Sequence, residues 1–583
     1  LKCVAGARRG PAYWQRMASP SRWLSLGSFV VIAIFLVAVS LVLVRVPRSP
    51  LPREEITTLA ALVGANGSGG LVWPSHELRV HALPDAFGAA GDNLGAFARA
   101  LSDALVDASA VVQVVEVPSD SSRALAAACA GPTSEQGAAS DSCRTALEAE
   151  PPLTASAGGD AFELILAPSG GRDGSVGELL LGAGLSAVLF VPEHAVSAKA
   201  LAVAVAANLQ RTWFRRAALE HETTLRFELA PSYIFSFLLV GDCEARVAWD
   251  FAGSVLNPYM DGILAQLRLL FDLDVDAQVV PCGALADAAR GKHIDATALK
   301  KRFLQNANKW PSDTLVRDAR WLPPLLHFVA FKSSRGVVVL DEDRVPQESF
   351  AVPGWGVVVI TSANSSTDES CTHESDSIAE LVRETDSALP ALAYFTDCEA
   401  RHFASAWAAH LRSWLHLPAQ LGEDAVAEVE GGGAALKVIV ALPQRGGIAA
   451  WELRAVARAI CARFVSRAAA SLEDLVALID SLPDVAVHED VAEMAFGAIA
   501  AARAASAAAT AGDTAAALHA ARRALTTALE ALQDDTVVAN LFFSFEFKYA
   551  VYLPILLPVV LPIMVATKRQ VSHIWALRKL KAE

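Results

Sequence analysis

Short catalytic signatures are what this sequence most conspicuously lacks. It has no Gly-x-Ser-x-Gly elbow, the local mark of an α/β-hydrolase nucleophile. It has no phosphate-cradling Gly-Lys-Ser/Thr loop, because Gly291-Lys292 runs on into His293. It has no Cys-x-x-Cys, which argues against a thioredoxin-like or zinc-ribbon site. Charge is scarce as well, at 19% of residues against 53% hydrophobic. A disordered or fibrous chain would be far less apolar. The net charge of −14 leaves no general basic surface, so nucleic acid is not an expected partner. What remains is a chain of 583 residues, long enough for three or four apolar domains.

The polar constellations that do occur are poorly spaced for chemistry. His76-Glu77 with His81 is one residue too long for H-E-x-x-H, and an i, i+5 step leaves two helical residues about 140° apart. These are expected as loop histidines near a Trp-Pro turn. Glu399-Ala400-Arg401-His402 is followed by His410 and His416. His402 and His410 lie too far apart along a helix for one metal, so surface or packing histidines are expected. Asp272, Asp274 and Asp276 alternate, but the Gly and Glu of a calcium loop do not follow, and edge-strand carboxylates are expected. No catalytic, cofactor or metal residue is singled out. A Cys/His pair that meets only in space stays open, so a hydrolase with a spatially assembled site is the alternative reading.

Two long uncharged runs organise the chain. Leu24 to Val44 contains 21 residues, roughly 32 Å as a helix and enough to cross a bilayer core. A cleaved signal peptide would have a shorter apolar core and small residues at its end, whereas Arg45, Val46, Pro47 and Arg48 follow. Tyr549 to Thr567 contains 19 residues, about 28 Å as a helix. Lys2, Arg8, Arg9, Arg16 and Arg22 precede the first run with no acid among them. Lys568, Arg569, Arg578, Lys579 and Lys581 follow the second against Glu583 alone. Positive flanks stay cytoplasmic. The expected topology puts 1–23 and 568–583 in the cytoplasm, spans at 24–44 and 549–567, and the acidic residues 45–548 on the far side. Pro554, Pro558 and Pro562 fall within about 80° of one another on the second span. Each removes a backbone donor, and lipid cannot replace it, so this span is expected to dock against partner helices.

The compartment follows from weaker marks. Asn66-Gly67-Ser68 and Asn364-Ser365-Ser366 are glycosylation sequons, both in the far-side segment. Lys579-Leu580-Lys581-Ala582-Glu583 is similar to the dilysine retrieval signal of endoplasmic reticulum membrane proteins, with Lys579 and Lys581 in the key places. The far-side segment holds seven cysteines, an odd number, in what would be an oxidising lumen. Proximity suggests Cys129 with Cys143 and Cys371 with Cys398. Cys461 sits in a helical pattern and is expected as a buried thiol.

Within that segment, strand-like runs recur at Val111–Val117, Phe162–Ala167, Ala187–Val191, Ile234–Val240, Val275–Pro281, Leu326–Phe331 and Gly356–Thr361. Helical patterns occupy Leu94–Ala108, Ala195–Trp213 and Phe251–Leu270. Ser119–Gly159 and Ala363–Asp386 read as loops or insertions. Ile448–Asp480 and Val491–Gln533 read as a long Ala/Leu-rich hairpin, with Gly512-Asp513 interrupting the second helix. The fold class expected is a mixed α/β lumenal domain (45–447) followed by a long helical hairpin (448–548), between two single transmembrane helices.

In order along the chain, several blocks now resemble one family. Arg48, Leu51-Pro52, Ile56 and Leu59 are similar to its juxtamembrane pattern. Tyr233 to Leu239, Trp249-Asp250, Phe271, Val275 and Gln278-Val279 are similar to its central block. Ser349-Phe350 with Pro353-Gly354-Trp355-Gly356 resembles its S-F-x-x-P-x-W-G segment. Leu411-Arg412 through Leu415-His416-Leu417-Pro418 resembles its L-R-x-L-x-G-L-P run, with His416 where Gly is usual. Phe547-Lys548-Tyr549-Ala550-Val551-Tyr552 with the three prolines resembles its second span. The chain departs in its Ala/Gly-rich insertions and in residues 1–16, with Met17 the expected start. The family is PIG-S, a subunit of the GPI transamidase. The resemblance implies a non-catalytic scaffold role in attaching GPI anchors to proprotein C-termini in the endoplasmic reticulum. It implies as partners the caspase-like protease PIG-K, PIG-T, PIG-U and the GPI anchor attachment subunit, with no cofactor. Trp249 and Trp355 become core or interface residues, core by default. An unrelated tether or chaperone is the remaining alternative.

Overall fold

The computed structural model describes residues 49–65, 71–83, 86–87, 92–106, 110–115, 120–129, 143–147, 161–168, 176–191, 197–214, 229–241, 246–280, 293–295, 323–333, 338–340, 344–352, 354–362, 392–394, 397–417, 425–428, 435–440, 447–481, 487–534 and 537, with scattered residues from 554 to 579. Contacts divide the chain into two compact units: residues 1–56, 471–497 and 528–583, and residues 57–470 with 498–527.

The described residues of the larger unit hold two large sheets beside a three-stranded and a two-stranded one. The first uses β1 (His76–Ala82), β2 (Ala110–Val114), β3 (Phe162–Pro168), β4 (Val176–Leu181) and β5 (Ser186–Val191). The second uses β6 (Ser232–Gly241), β7 (Asp272–Val280), β8 (Leu325–Ser333), β9 (Ser349–Val352) and β10 (Gly356–Ser362). Then β11 (Ala425–Glu428) and β12 (Ala435–Val440) return to the first, whose order is β11-β12-β4-β5-β3-β1-β2. The second has the order β9-β10-β8-β6-β7. Pairing is parallel except for β11/β12, β4/β5 and β9/β10. Strands buried on both faces read as continuous apolar runs, which is why β3, β5 and β6 are plain in the sequence.

Helices α1 (Arg53–Ala65), α2 (Asp92–Ala104), α3 (Asp120–Cys129) and α4 (Ala198–Arg211) precede β6. Helices α2 and α4 cover one face of the first sheet, with Phe97, Leu101, Leu201 and Val205 on Leu78, Val80, Leu164 and Leu189. Trp213 stacks on Phe162 at 4.8 Å. The other face takes Leu125 and Ala126 of α3, with Cys143 and Leu147, against Ile165 and Val188. The loop expected over Ser119–Gly159 is therefore corrected: its small residues let a helix lie close on the sheet. Cys129 and Cys143 are joined by a disulfide there, with Cα atoms 4.8 Å apart. His76 and His81 are also corrected, from loop to strand. Leu78 and Val80 face the core, while charged neighbours disguise β1 as a turn.

In the second sheet, α5 (π-helical Phe251–Met260, then α-helical Asp261–Leu270) and α6 (Asp397–Trp414) meet an aromatic face. The wide turns coincide with Pro258, which has no N–H to give. Phe237 lies 5.0 Å from Phe251 and 5.2 Å from Trp407, and Phe328 lies 6.0 Å from Trp414. Asp272, Asp274 and Asp276 sit on β7, the edge strand. The seven strand-like runs and three helical patterns all become elements, with ends moved by a few residues.

The C-terminal helices are α7 (Ala450–Ser481), α8 (Glu489–Thr510) and α9 (Thr514–Leu532). Gly512 ends α8 with φ +82°, and Asp513 caps α9 by accepting the Ala516 N–H at 2.9 Å. Among the described residues, α8 alone is long and apolar enough to cross a membrane by length and composition. Its Val491 and Ala495 are buried in the smaller unit and its Ile499 and Ala502 in the larger. Cys461 of α7 is a buried free thiol, pushed up to about 12 by burial. In the smaller unit Leu475, Ile479, Val487, Val491 and Val537 form a core that Leu51 joins. There Arg53 grips Asp480 with bonds of 2.6 and 3.0 Å, and the Ser49 N–H donates to the Val487 carbonyl.

Gly356 has φ +155°, and a Cβ there would lie 2.0 Å from the His327 carbonyl oxygen on β8. Backbone cannot retreat from it cheaply. Gly356→Ala is expected to destabilise the second sheet by about 3 kcal/mol or more, read as a lowered thermal unfolding midpoint of the purified protein.

Candidate functional site

Helix α6 gathers the polar residues that stood out in the sequence, and distributes them. Asp397 accepts a hydrogen bond of 2.7 Å from the Tyr259 hydroxyl of α5. Burial and this bond raise the Tyr259 phenol above its ordinary value. Glu399 pairs with Lys332 at the end of β8, 3.0 Å apart and half-buried. His402 faces Glu348 at 3.3 Å, and His410 Nε2 meets Ser349 Oγ at 3.1 Å. The two acids meet α5 and β8, while the two histidines, eight residues apart along the helix, meet the adjacent Glu348 and Ser349. The two histidines are packing partners of the β9 edge.

Arg412 makes the strongest of these contacts. It donates to both carboxylate oxygens of Glu452 on α7, at 2.7 and 2.9 Å. The side chains are 5% and 1% exposed. Glu452 also accepts the Ala449 N–H at 3.0 Å, the reach-back of an N3 glutamate to its N-cap. Next to it Gln266 of α5 makes two bonds to Ile448, at 2.6 and 2.7 Å. Trp451 Nε1 donates to the Gly182 carbonyl at 3.2 Å, and the Ala450 N–H to the Ala183 carbonyl at 2.7 Å. The start of α7 is thus tied to the β4–β5 turn of the first sheet and to both helices of the second.

The other family-like blocks are backbone devices. Asp250 caps α5 by accepting the Gly253 N–H at 3.0 Å. Trp249 lies 5.2 Å from Phe251, and Trp355 lies 4.7 Å from the His327 ring. Both tryptophans are half-buried, and Trp355 packs against the core of the second sheet; among the described residues the buried tryptophans are Trp213, Trp407, Trp414 and Trp451. His416 has φ +55°. The Leu417 N–H bonds the Arg412 carbonyl and the His416 N–H bonds the Ser413 carbonyl, so His416 holds the left-handed position that closes a helix end. This explains why glycine is usual there.

One row of the second sheet combines Ser, His and Asp. Register sets Ser236 beside His327 on one side and beside Asp276 on the other. A relay needs the histidine between serine and acid. Here the serine stands between, and His327 and Asp276 are two strands apart, roughly 10 Å. Asp276 instead accepts from Gln278 at 2.8 Å. Burial pushes His327 down to about 4, toward its neutral form. His76 lies against Phe162, Phe214 and Arg458, and burial beside Arg458 and Arg454 pushes it down to about 3. Its charged neighbours were visible in the sequence, but their meeting across 382 positions was not.

Among the described residues no group of three or more His, Cys, Asp or Glu could hold a metal ion. Cys398 is disulfide-bonded. Asn66, Asn364, Cys371, Lys581 and the run 24–44 lie outside the described residues. Pro554, Pro558 and Pro562 are helical and exposed, as is Lys579.

Residues 142–576, about three quarters of the chain, match a family model described as PIG-S, phosphatidylinositol-glycan biosynthesis class S protein. The matched stretch includes every block named above except the juxtamembrane pattern from Arg48 to Leu59. No curated protein matches the chain.

Arg412→Met would leave Glu452 buried and unpaired, and is expected to cost about 3–5 kcal/mol. Adding Glu452→Leu should recover most of it, in a double-mutant cycle read by chemical denaturation. His416→Gly should raise stability by about 1 kcal/mol, by relieving the left-handed backbone. Below about pH 6.5 an unfolded chain binds a proton that folded His76 refuses, down to about pH 3. Stability should therefore fall across that window as pH is lowered, and His76→Gln should flatten the fall of the unfolding midpoint.

Proposed function

Because the chain belongs to the PIG-S family, we propose that it is a non-catalytic scaffold subunit of the GPI transamidase complex, supporting transfer of proprotein C-termini to GPI lipid. The family match across residues 142–576 carries this reading. The structure adds physical support. The polar residues of α6 are engaged in ties between elements, which is how a scaffold uses them.

In this reading the protein is anchored in the endoplasmic reticulum membrane by 24–44 and 549–567. Both basic termini, 1–23 and 568–583, are cytoplasmic, and Lys579 and Lys581 serve as the retrieval signal. Residues 45–447 and 448–548 are lumenal, with glycans on Asn66 and Asn364 and a second disulfide between Cys371 and Cys398. One observation favours two spans at one face: Ser49 to Ile56, just after the first run, and Val537, shortly before the second, belong to the same compact unit. The exposed prolines of the second run favour helix partners in the membrane, since each leaves a carbonyl without its usual donor. The partners are PIG-K, PIG-T, PIG-U and the GPI anchor attachment subunit.

Affinity purification of the tagged chain in mild detergent, followed by mass spectrometry, tests the assignment. A caspase-like protease and a multi-span protein should be recovered in near-equal amounts. Recovery of the chain alone, in detergent that keeps other membrane complexes whole, would overturn it. Replacing Pro554, Pro558 and Pro562 together by Leu should reduce recovery of the multi-span partner several-fold while leaving the unfolding midpoint of the lumenal part unchanged.

A further inference from the structure

We propose that the helical stretch from Lys568 to Lys579 is a docking face for the negatively charged headgroups of the bilayer that the preceding run enters. This rests on the reading of 549–567 as a span. The apolar run stops at Thr567, yet every described residue from Lys568 to Lys579 is still helical and exposed. At helical rise, the described residues reach about 17 Å beyond the apolar run. At 100° per residue, Lys568, Val571, Trp575, Arg578 and Lys579 fall within one arc of about 100°.

That arc has the chemistry of a membrane interface. It carries three cations, and residues 568–579 contain no acid although the chain as a whole carries −14. It also carries Trp575, 72% exposed, and the exposed Val571. An indole prefers the headgroup level, where its ring is half in hydrocarbon and its N–H is wet. Lysine and arginine stems can lie along apolar surface while their charges reach phosphate. A soluble acidic partner would answer the cations, but continuity with the apolar run puts the bilayer surface within a Debye length of Lys568, and a stretch laid along that surface by Trp575 and Val571 brings Arg578 and Lys579 equally close.

The test reconstitutes the full chain into phosphatidylcholine vesicles, with or without phosphatidylserine, using brominated lipids as quenchers. The contribution of Trp575 is the difference between the native chain and Trp575→Phe. Its quenching should rise roughly two-fold or more with phosphatidylserine and fall back at about 1 M salt. Arg578→Gln with Lys579→Gln should abolish the rise. Equal quenching in both vesicle types by an inserted chain, or a rise that survives that double substitution, would overturn the proposal while leaving the span intact. A chain stripped from vesicles by alkaline wash would overturn the span reading itself, and the docking face with it.

Discussion

The buried pair between Arg412 and Glu452 is the constraint on which the larger unit depends. Two charges withdrawn from water lose several kcal/mol of hydration each, and attraction compensates only when every oxygen is engaged. Here the guanidinium fork meets both carboxylate oxygens, and the Ala449 N–H takes one of them as well. Helix α7 must begin at this point for the geometry to hold. Once it does, the Gln266 bonds to Ile448 and the Trp451 bond to Gly182 fall into place on the two sheets. An apolar contact could supply similar burial, but not this registry.

The same logic runs along α6. Its acids and histidines are each matched by a partner from another strand or helix, which turns an amphipathic helix into a clasp. A constellation for catalysis would need several of these groups to converge on one point. Asp397 points away from the other three, and His402 and His410 are about 12 Å apart along the helix. The Ser236, Asp276 and His327 row fails as a relay for a related reason, since strand order decides who stands between whom. The α/β unit is thus tied internally by the polar groups that stand out in its sequence.

Legibility in the sequence depended on local chemistry. The buried parallel strands were plain because both of their faces are apolar. The α8–α9 break was plain because Gly512 supplies a left-handed residue and Asp513 a cap. Strand β1 was hidden because Glu77, Arg79 and His81 interleave with its two core residues. Helix α3 was hidden because Ser- and Ala-rich sequence suits a loop equally well. Only the sheet face above Ile165 and Val188 makes its few apolar side chains count.

The amino-acid sequence by itself determined the apolar runs, the charge asymmetry, the types of all elements but a few such as β1 and α3, and the family, because each is written in neighbouring residues or in the order of short blocks. Tertiary structure alone decided which polar groups meet. Arg412 and Glu452 are 40 positions apart, Gln266 and Ile448 are 182 apart, and Trp451 and Gly182 are 269 apart. No local periodicity encodes such pairs. They exist because two sheets and one helix terminus are packed closely enough that these polar groups are cut off from water and bond to one another.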